Sequence, residues 1–132
     1  MAEPYIHRIR VRYGEVDMQR VVFNAHYLAY CDDAIEQWHR VLGVDGAADG
    51  WDFMLKKAVI EWQGPAGVND ELEIAVSVGR WGTTSFDVAF AGTVAARPVF
   101  TATITYVGVR HGTTETMAPP PAVKEAMGAP PP

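Results

Sequence analysis

The sequence of 132 residues has few of the features that mark secreted or membrane-bound chains. It contains one cysteine, Cys31, so no disulfide can form within the chain, and a reducing compartment is predicted. No apolar run is long enough to span a bilayer, and the first residues lack the apolar segment of a signal peptide. We therefore expect a cytoplasmic protein without a membrane partner.

Basic residues are also few, since 11 Lys and Arg stand against 16 Asp and Glu, giving a formal net charge of −5. A protein that binds nucleic acid through a broad basic surface needs the opposite balance. The composition therefore predicts no nucleic-acid partner, although it leaves room for a local basic patch that binds a phosphorylated ligand.

The residue patterns of most hydrolytic sites are missing as well. The two serines, Ser77 and Ser85, lie outside any G-x-S-x-G motif. Neither an H-E-x-x-H motif nor a pair of C-x-x-C motifs occurs, so we predict no metal and no other cofactor. Cys31 lies on an apolar helical stripe, which favours a buried structural thiol over a nucleophile.

Apolar residues make up 48% of the chain, enough for one domain with one core. Residues 5–13 alternate with a period of two, which predicts a half-buried strand. From Tyr27 the apolar residues recur every three or four positions, which predicts a helix with Asn24 as its N-cap and Gly43 at its end.

Four further segments, separated by turn residues, read as strands. In the last three, alternating residues are predicted to face the core: Leu72, Ile74, Val76 and Val78, then Phe86, Val88 and Phe90, then Phe100, Ala102, Ile104 and Tyr106. The order β-α-β-β-β-β predicts an α+β fold in which an antiparallel sheet of about five strands covers one long helix. We expect residues 1–118 to form the single domain and residues 119–132 to form a proline-rich tail with one short helix, PAVKEAM.

The stretch RYGEVDMQRVVFNAHYLAY holds the main candidate site. Asp17 precedes the predicted helix N-terminus, whose free amides can stabilise an oxyanion. An ionised carboxylate beside such donors can act as nucleophile or as base toward water. Capping of a turn is the alternative role for Asp17, as N-capping is for Asn24. Glu15 is interpreted as an exposed acid that follows a strand.

Three other residues are weaker candidates on the residues alone. His26 and His39 are interpreted as surface or core-edge histidines. Glu36 lies off the apolar stripe, where a solvated face explains it, and it is the second-choice catalytic carboxylate.

The same stretch resembles the 4-hydroxybenzoyl-CoA thioesterase group of the hotdog fold. The likeness is carried by Arg12-Tyr13, Asp17, Val21-Val22-Phe23, Asn24 and Tyr27, and in a second segment by Pro65, Ala66, Asp70, Leu72 and Ile74. The hairpin RWGTTSF and the C-terminal tail match more weakly, and together the segments span nearly the whole chain.

The resemblance implies a sheet wrapped round one long central helix and hydrolysis of an acyl-CoA or acyl-carrier-protein thioester. It implies that Asp17 is the catalytic carboxylate and that the backbone amide of Asn24 polarises the thioester carbonyl. Arg20, His26 and Tyr27 become candidates for substrate binding, and Arg20 stands where the family has glycine. The resemblance also implies a homodimer or homotetramer with its active site between subunits.

Two alternative functions remain open. One is a dehydratase or hydratase acting on acyl thioesters, and the other is a non-catalytic module that binds them. The sequence leaves open whether the substrate carries an acyl chain or an aryl ring, and whether the thiol is CoA or a carrier protein. It also leaves open whether the carboxylate attacks directly or activates water.

Overall fold

The computed structural model describes residues 3–46 and 48–131. Its elements are β1 (Tyr5–Arg10), a 3-10 turn (Tyr13–Glu15), α1 (His26–Leu42), β2 (Trp51–Trp62), β3 (Glu71–Trp81), β4 (Ser85–Val94), β5 (Arg97–Arg110) and α2 (Pro121–Met127). The predicted element order β-α-β-β-β-β is confirmed, α1 has 17 residues, and α2 covers the predicted segment PAVKEAM.

The five strands form one antiparallel sheet in the order β1-β3-β4-β5-β2. The strands β3, β4 and β5 follow one another as hairpins, and β1 and β2 form the two edges. The register shifts leave one extra residue in each of β2, β3 and β5, and irregularities of this kind bend a strand and increase its twist.

One face of the sheet and one face of α1 enclose the core. The alternating positions predicted for β3, β4 and β5 are buried, as are the central residues of the helical stripe; they include Leu72, Ile74, Val76, Val78, Phe86, Val88, Phe90, Phe100, Ile104, Cys31, Ile35 and Trp38. Burial raises the pKa of the Cys31 thiol to about 12, so the interpretation of Cys31 as a structural thiol agrees with the structure.

The sequence correctly predicted the C-terminal end of α1 but not its N-cap. Gly43 terminates the helix in the left-handed conformation (φ +75°), as predicted. At the start, the N-cap is Ala25 and not Asn24, and no side chain in the described part of the chain caps the helix. The chain enters α1 through a backbone turn in which His26 N donates to Phe23 O at 2.8 Å, so the first turn does not depend on an Asn24 side chain.

The short helix α2 packs against the body of the protein. Val123 and Met127 are buried in the common core. The indole Nε1 of Trp81, near the end of β3, donates to the carbonyl oxygen of Gly128 at 2.9 Å. The domain boundary at residue 118 stays a prediction. Among residues 3–46 and 48–131, no helix combines the length and the hydropathy that a membrane span requires.

Candidate active site

A tight hairpin turn presents Asp17. Val16 and Val22 form an antiparallel bridge, and Asp17 N donates to Val21 O at 2.9 Å while Arg20 N donates to Asp17 O at 2.9 Å. Arg20 closes this turn with a φ of +64°, in the left-handed region that glycine adopts most easily. The geometry therefore gives the physical reason why glycine suits this position in the family that the sequence resembles.

The Asp17 side chain is exposed beside a cleft. Its Oδ1 accepts a hydrogen bond from Gln19 N at 2.8 Å, which is the turn-capping role weighed from the sequence. The Oδ2 atom accepts no hydrogen bond from any residue that the structure describes. Arg10, Arg12 and Arg20 line the same cleft, whose volume is about 1070 Å³. An anionic group near Asp17 would thus meet several cations.

Glu15 is buried, and its interpretation as an exposed acid is wrong. The side chain is 6% exposed because the 3-10 turn folds it back toward α1. Glu15 accepts hydrogen bonds from Arg12 N (2.8 Å), Arg12 Nε (3.0 Å) and the Tyr30 hydroxyl (3.0 Å), and His26 Nε2 lies 3.3 Å from Oε2. These contacts give a buried carboxylate its required partners.

The electrostatics of Glu15 follow from two opposing effects. Burial alone would raise the pKa of its carboxyl, but the hydrogen bonds from Arg12 and Tyr30 outweigh burial and lower the pKa to about 2. Burial and the same carboxylate raise the pKa of the Tyr30 phenol. Glu15 is therefore an anion that anchors the Asp17 turn to α1, and its backbone oxygen also accepts from Phe23 N at 3.1 Å.

The N-terminus of α1 opens on a second, smaller groove. Asn24 and Tyr27 line it together with Trp62, Gly64 and Pro65, and its volume is about 390 Å³. Within the described residues, the Asn24 N–H donates no hydrogen bond. The backbone of Ala66 holds the entrance in place, because its carbonyl oxygen accepts from Val22 N at 2.9 Å.

The remaining predicted residues lie in different surroundings. His26 is half-buried and faces Glu15, with its ring edge-on to Tyr30 at 4.8 Å. Tyr27 is only 2% exposed and packs edge-on against Trp62, so it can meet a ligand only at the rim of the small groove. Glu36 lies twelve residues after Asn24, about 18 Å farther along α1 at the usual rise per residue.

A single copy of the chain therefore does not bring all candidates into one pocket. Asp17 and Arg20 share one cleft, Asn24 and Tyr27 share another, and Glu36 lines a third cavity. Sequence reasoning missed Glu15 and Tyr30 as partners. The spacing of Arg12 and Glu15, three residues apart, was a local signal for their contact, but no local pattern links Glu15 to Tyr30. The described residues contain no group of three or more His, Cys, Asp or Glu placed to hold a metal ion.

Comparison with known families matches residues 11–127 to the thioesterase-like superfamily. The chain belongs to this superfamily. The match spans the Asp17 turn, α1, the strands from β2 to β5 and α2, and it confirms the resemblance noted in the sequence. No curated protein matches the chain.

Solved structures with the same fold include several thioesterases. A hypothetical protein from Aquifex aeolicus superposes with a TM-score of 0.87 at 23% identity, covering 95% of this chain and 100% of the other. A 1,4-dihydroxy-2-naphthoyl-CoA thioesterase from Synechocystis gives 0.83 at 19%, covering 93% and 94%. A gentisyl-coenzyme A thioesterase gives 0.84 at 19%, covering 94% and 100%. These likenesses establish the fold, and the antiparallel sheet with α1 on its buried face is consistent with a hotdog domain.

Proposed function

We propose that the protein hydrolyses an acyl-CoA or acyl-carrier-protein thioester, with Asp17 as the catalytic carboxylate and the Asn24 backbone N–H as oxyanion donor. The observation that carries the proposal is the Asp17 turn itself. Glu15 anchors this turn to α1. The turn exposes the Asp17 carboxylate seven residues before Asn24, whose backbone N–H donates no hydrogen bond to a described residue. We also propose that the sheet wraps round α1, as it does in hotdog enzymes.

The residues support two chemical routes. In one, the Asp17 carboxylate attacks the thioester carbonyl carbon, the C–S bond breaks to release a thiolate, and water cleaves the resulting anhydride. In the other, Asp17 takes a proton from water as the water attacks. Both routes place negative charge on the carbonyl oxygen, which the Asn24 N–H would stabilise. The leaving thiol has a pKa of about 8.5 by analogy with cysteine, so it departs with little help from an acid.

A second copy of the chain completes this site in our proposal. Among the described residues, no strand pairs with the outer side of the edge strand β2, which exposes Met54, Leu55, Val59 and Trp62. Unpaired apolar edges are usually covered. Trp62 also borders the groove of Asn24 and Tyr27. In a homodimer paired along β2, the second copy would therefore form one side of this groove. Two such dimers would give a homotetramer.

The arginine-lined cleft suits the phosphorylated part of CoA. Arg20 makes no ion pair with any described residue, and it lies beside Asp17 in the cleft that Arg10 and Arg12 also line. Cations clustered in one cleft attract an anionic ligand even though the chain as a whole is acidic. We propose that Arg20 contacts a phosphate or an acidic group of the substrate.

The experiment that tests the function is thiol release from a panel of acyl-CoAs with short, long and aromatic acyl groups, and from acyl-carrier-protein thioesters. We expect equal amounts of free thiol and free acid from at least one member. Hydration of an enoyl-CoA without thiol release would instead identify a hydratase. Saturable binding of acyl-CoA without any turnover would identify a binding module, and either result would contradict the proposal.

A further inference from the structure

Exposed apolar and basic side chains surround Asp17. Met18 is fully exposed, Tyr13 is 86% exposed, and both line the same cleft as Asp17. Three arginines line this cleft as well, and all five of these side chains face solvent. Together they form what we call the Asp17 patch: Arg10, Arg12, Tyr13, Met18 and Arg20.

The composition of the Asp17 patch is that of a protein-binding surface. Tyrosine, methionine and arginine are enriched where proteins contact one another, whereas lysine is depleted. No lysine is among the described residues that line the cleft. One exposed apolar side chain is ordinary on a protein surface. Here, however, Tyr13 and Met18 lie in one cleft beside the carboxylate that is proposed to carry out the chemistry.

The charge of the Asp17 patch favours an acidic partner. Three arginines line the cleft, whereas Asp17 is its one acid among the described residues. Arg12 pairs with the buried Glu15 but keeps 72% of its side chain exposed, and Arg10 donates to the neutral side chain of Asn69 at 2.8 Å. The whole chain has a formal net charge of −5, so a local cationic surface of this kind attracts an acidic protein by charge complementarity.

A protein that docks around the proposed catalytic carboxylate must bring the thioester with it. An acyl carrier protein does so, because it is acidic and holds its acyl group on a flexible phosphopantetheine arm. The phosphate contact proposed for Arg20 is available in both kinds of substrate, since CoA and carrier proteins share phosphopantetheine. Free CoA, however, offers no protein surface that could cover Tyr13 and Met18.

We propose that the Asp17 patch docks an acidic acyl carrier protein, so that the preferred thioester is bound to a carrier protein and not to free CoA. Delivery of a thioester rests on the proposed function, whereas docking can be measured without turnover.

The first test measures docking alone, by calorimetric titration of the full chain with the holo acyl carrier protein of bacterial fatty-acid synthesis, which carries no acyl group. We expect saturable binding that weakens between about 50 mM and about 300 mM NaCl, since salt screens exposed charges. Met18→Glu places an acid in the patch and should weaken binding at least about tenfold. Val41→Glu is the matched control and should bind within about twofold of wild type, because Val41 is also exposed but lies on α1 outside the cleft.

The second test compares thiol release from the same acyl group on CoA and on the carrier protein. We expect kcat/KM to be at least about tenfold higher for the carrier-bound thioester. Met18→Glu should reduce this preference to within about threefold, mainly by raising KM for the carrier-bound substrate, whereas Val41→Glu should keep it.

Several outcomes would overturn the proposal: no binding of the carrier protein by wild type, binding that Met18→Glu leaves unchanged, or a preference for acyl-CoA. A smaller species in sedimentation for Met18→Glu than for wild type would also overturn it, because a second copy of the chain would then cover the patch. Binding of the carrier protein that Met18→Glu weakens, without hydrolysis of either thioester, would support docking while contradicting the proposed function.

Discussion

The Tyr30 hydroxyl donates a hydrogen bond to Glu15 Oε1 at 3.0 Å and so links the second turn of α1 to the segment that carries Asp17. Both side chains are buried, and fifteen residues of chain separate them. The position of the Asp17 turn relative to the helix N-terminus therefore depends on a buried, charged hydrogen bond as well as on the backbone of the hairpin.

Removing this link should destabilise the protein. Tyr30→Phe keeps the aromatic packing but takes one donor from the Glu15 carboxylate, and hydrogen bonds to charged groups contribute about 1.5–3 kcal/mol. We expect the free energy of unfolding in urea to fall by about 1–2 kcal/mol, since Arg12 still pairs with Glu15. Tyr5→Phe serves as the control, because Tyr5 donates no side-chain hydrogen bond to a described residue. No measurable loss in Tyr30→Phe would show that Arg12 alone satisfies Glu15.

Glu15 should also govern stability in acid. Its pKa falls from an ordinary value of 4.5 to about 2 in the folded chain, so the unfolded chain binds more protons between these values. The stabilisation is fully present above about pH 4.5 and is lost as the pH falls through about 2. Urea unfolding from pH 6 to pH 2.5 should show a weaker pH dependence for Glu15→Gln than for wild type. Identical slopes for the two proteins would contradict the assignment of this carboxylate as an anion.

Arg20 combines a conformational cost with a proposed binding role, and two substitutions separate them. Arg20→Gly relieves a positive φ, so the folded protein should be as stable as wild type or more stable by up to about 1 kcal/mol. For acyl-CoA hydrolysis, the same change should raise KM and reduce the dependence of KM on salt. Arg20→Lys keeps a cation and should lie nearer to wild type. A KM that Arg20→Gly leaves unchanged for every hydrolysed substrate would exclude the binding role.

Pairing along β2 predicts that an exposed residue on this strand controls assembly. Val59 is 50% exposed, and Val59→Asp should place a charge in the interface, so that sedimentation shows a monomer and thiol release is lost. Val41→Asp is the matched control, since Val41 is 71% exposed on α1, away from the strand edge. A wild-type protein that is monomeric and active at micromolar concentration would contradict the proposed assembly.

The sequence predicted the parts of the fold that local patterns encode. The alternation in β3 identified Leu72 and Ile74 as core residues, and the left-handed Gly43 marked the end of α1. The same patterns did not reveal the burial of Glu15, because its partner Tyr30 comes from a helix whose placement depends on the whole sheet. Hydrophobic periodicity describes one element at a time, whereas a buried ion network joins several.

The candidate site was harder to predict than the fold for a related reason. Asp17, Asn24 and Tyr27 are close in sequence, yet the chain places Asp17 and Asn24 at different clefts. Motif spacing indicates which residues take part in one reaction. Whether their side chains line the same cleft depends on the packing of the chain and on its assembly. The positive φ of Arg20 agrees with the glycine that the family has at that position, because glycine adopts this conformation most easily.

The most direct test of Asp17 as the catalytic carboxylate is the kcat of Asp17→Asn for whichever thioester the wild-type protein hydrolyses best. Asparagine can still accept the hydrogen bond from Gln19 N through its side-chain oxygen, so the turn and the assembly should persist, but the charge needed for attack or for proton transfer is gone. We predict that kcat falls by about 10²–10⁴-fold with substrate binding retained, whereas Glu36→Gln, the matched loss of a carboxylate on α1, stays within a few-fold of wild type. A folded, correctly assembled Asp17→Asn protein that hydrolyses the thioester within a few-fold of the wild-type rate would contradict the central claim.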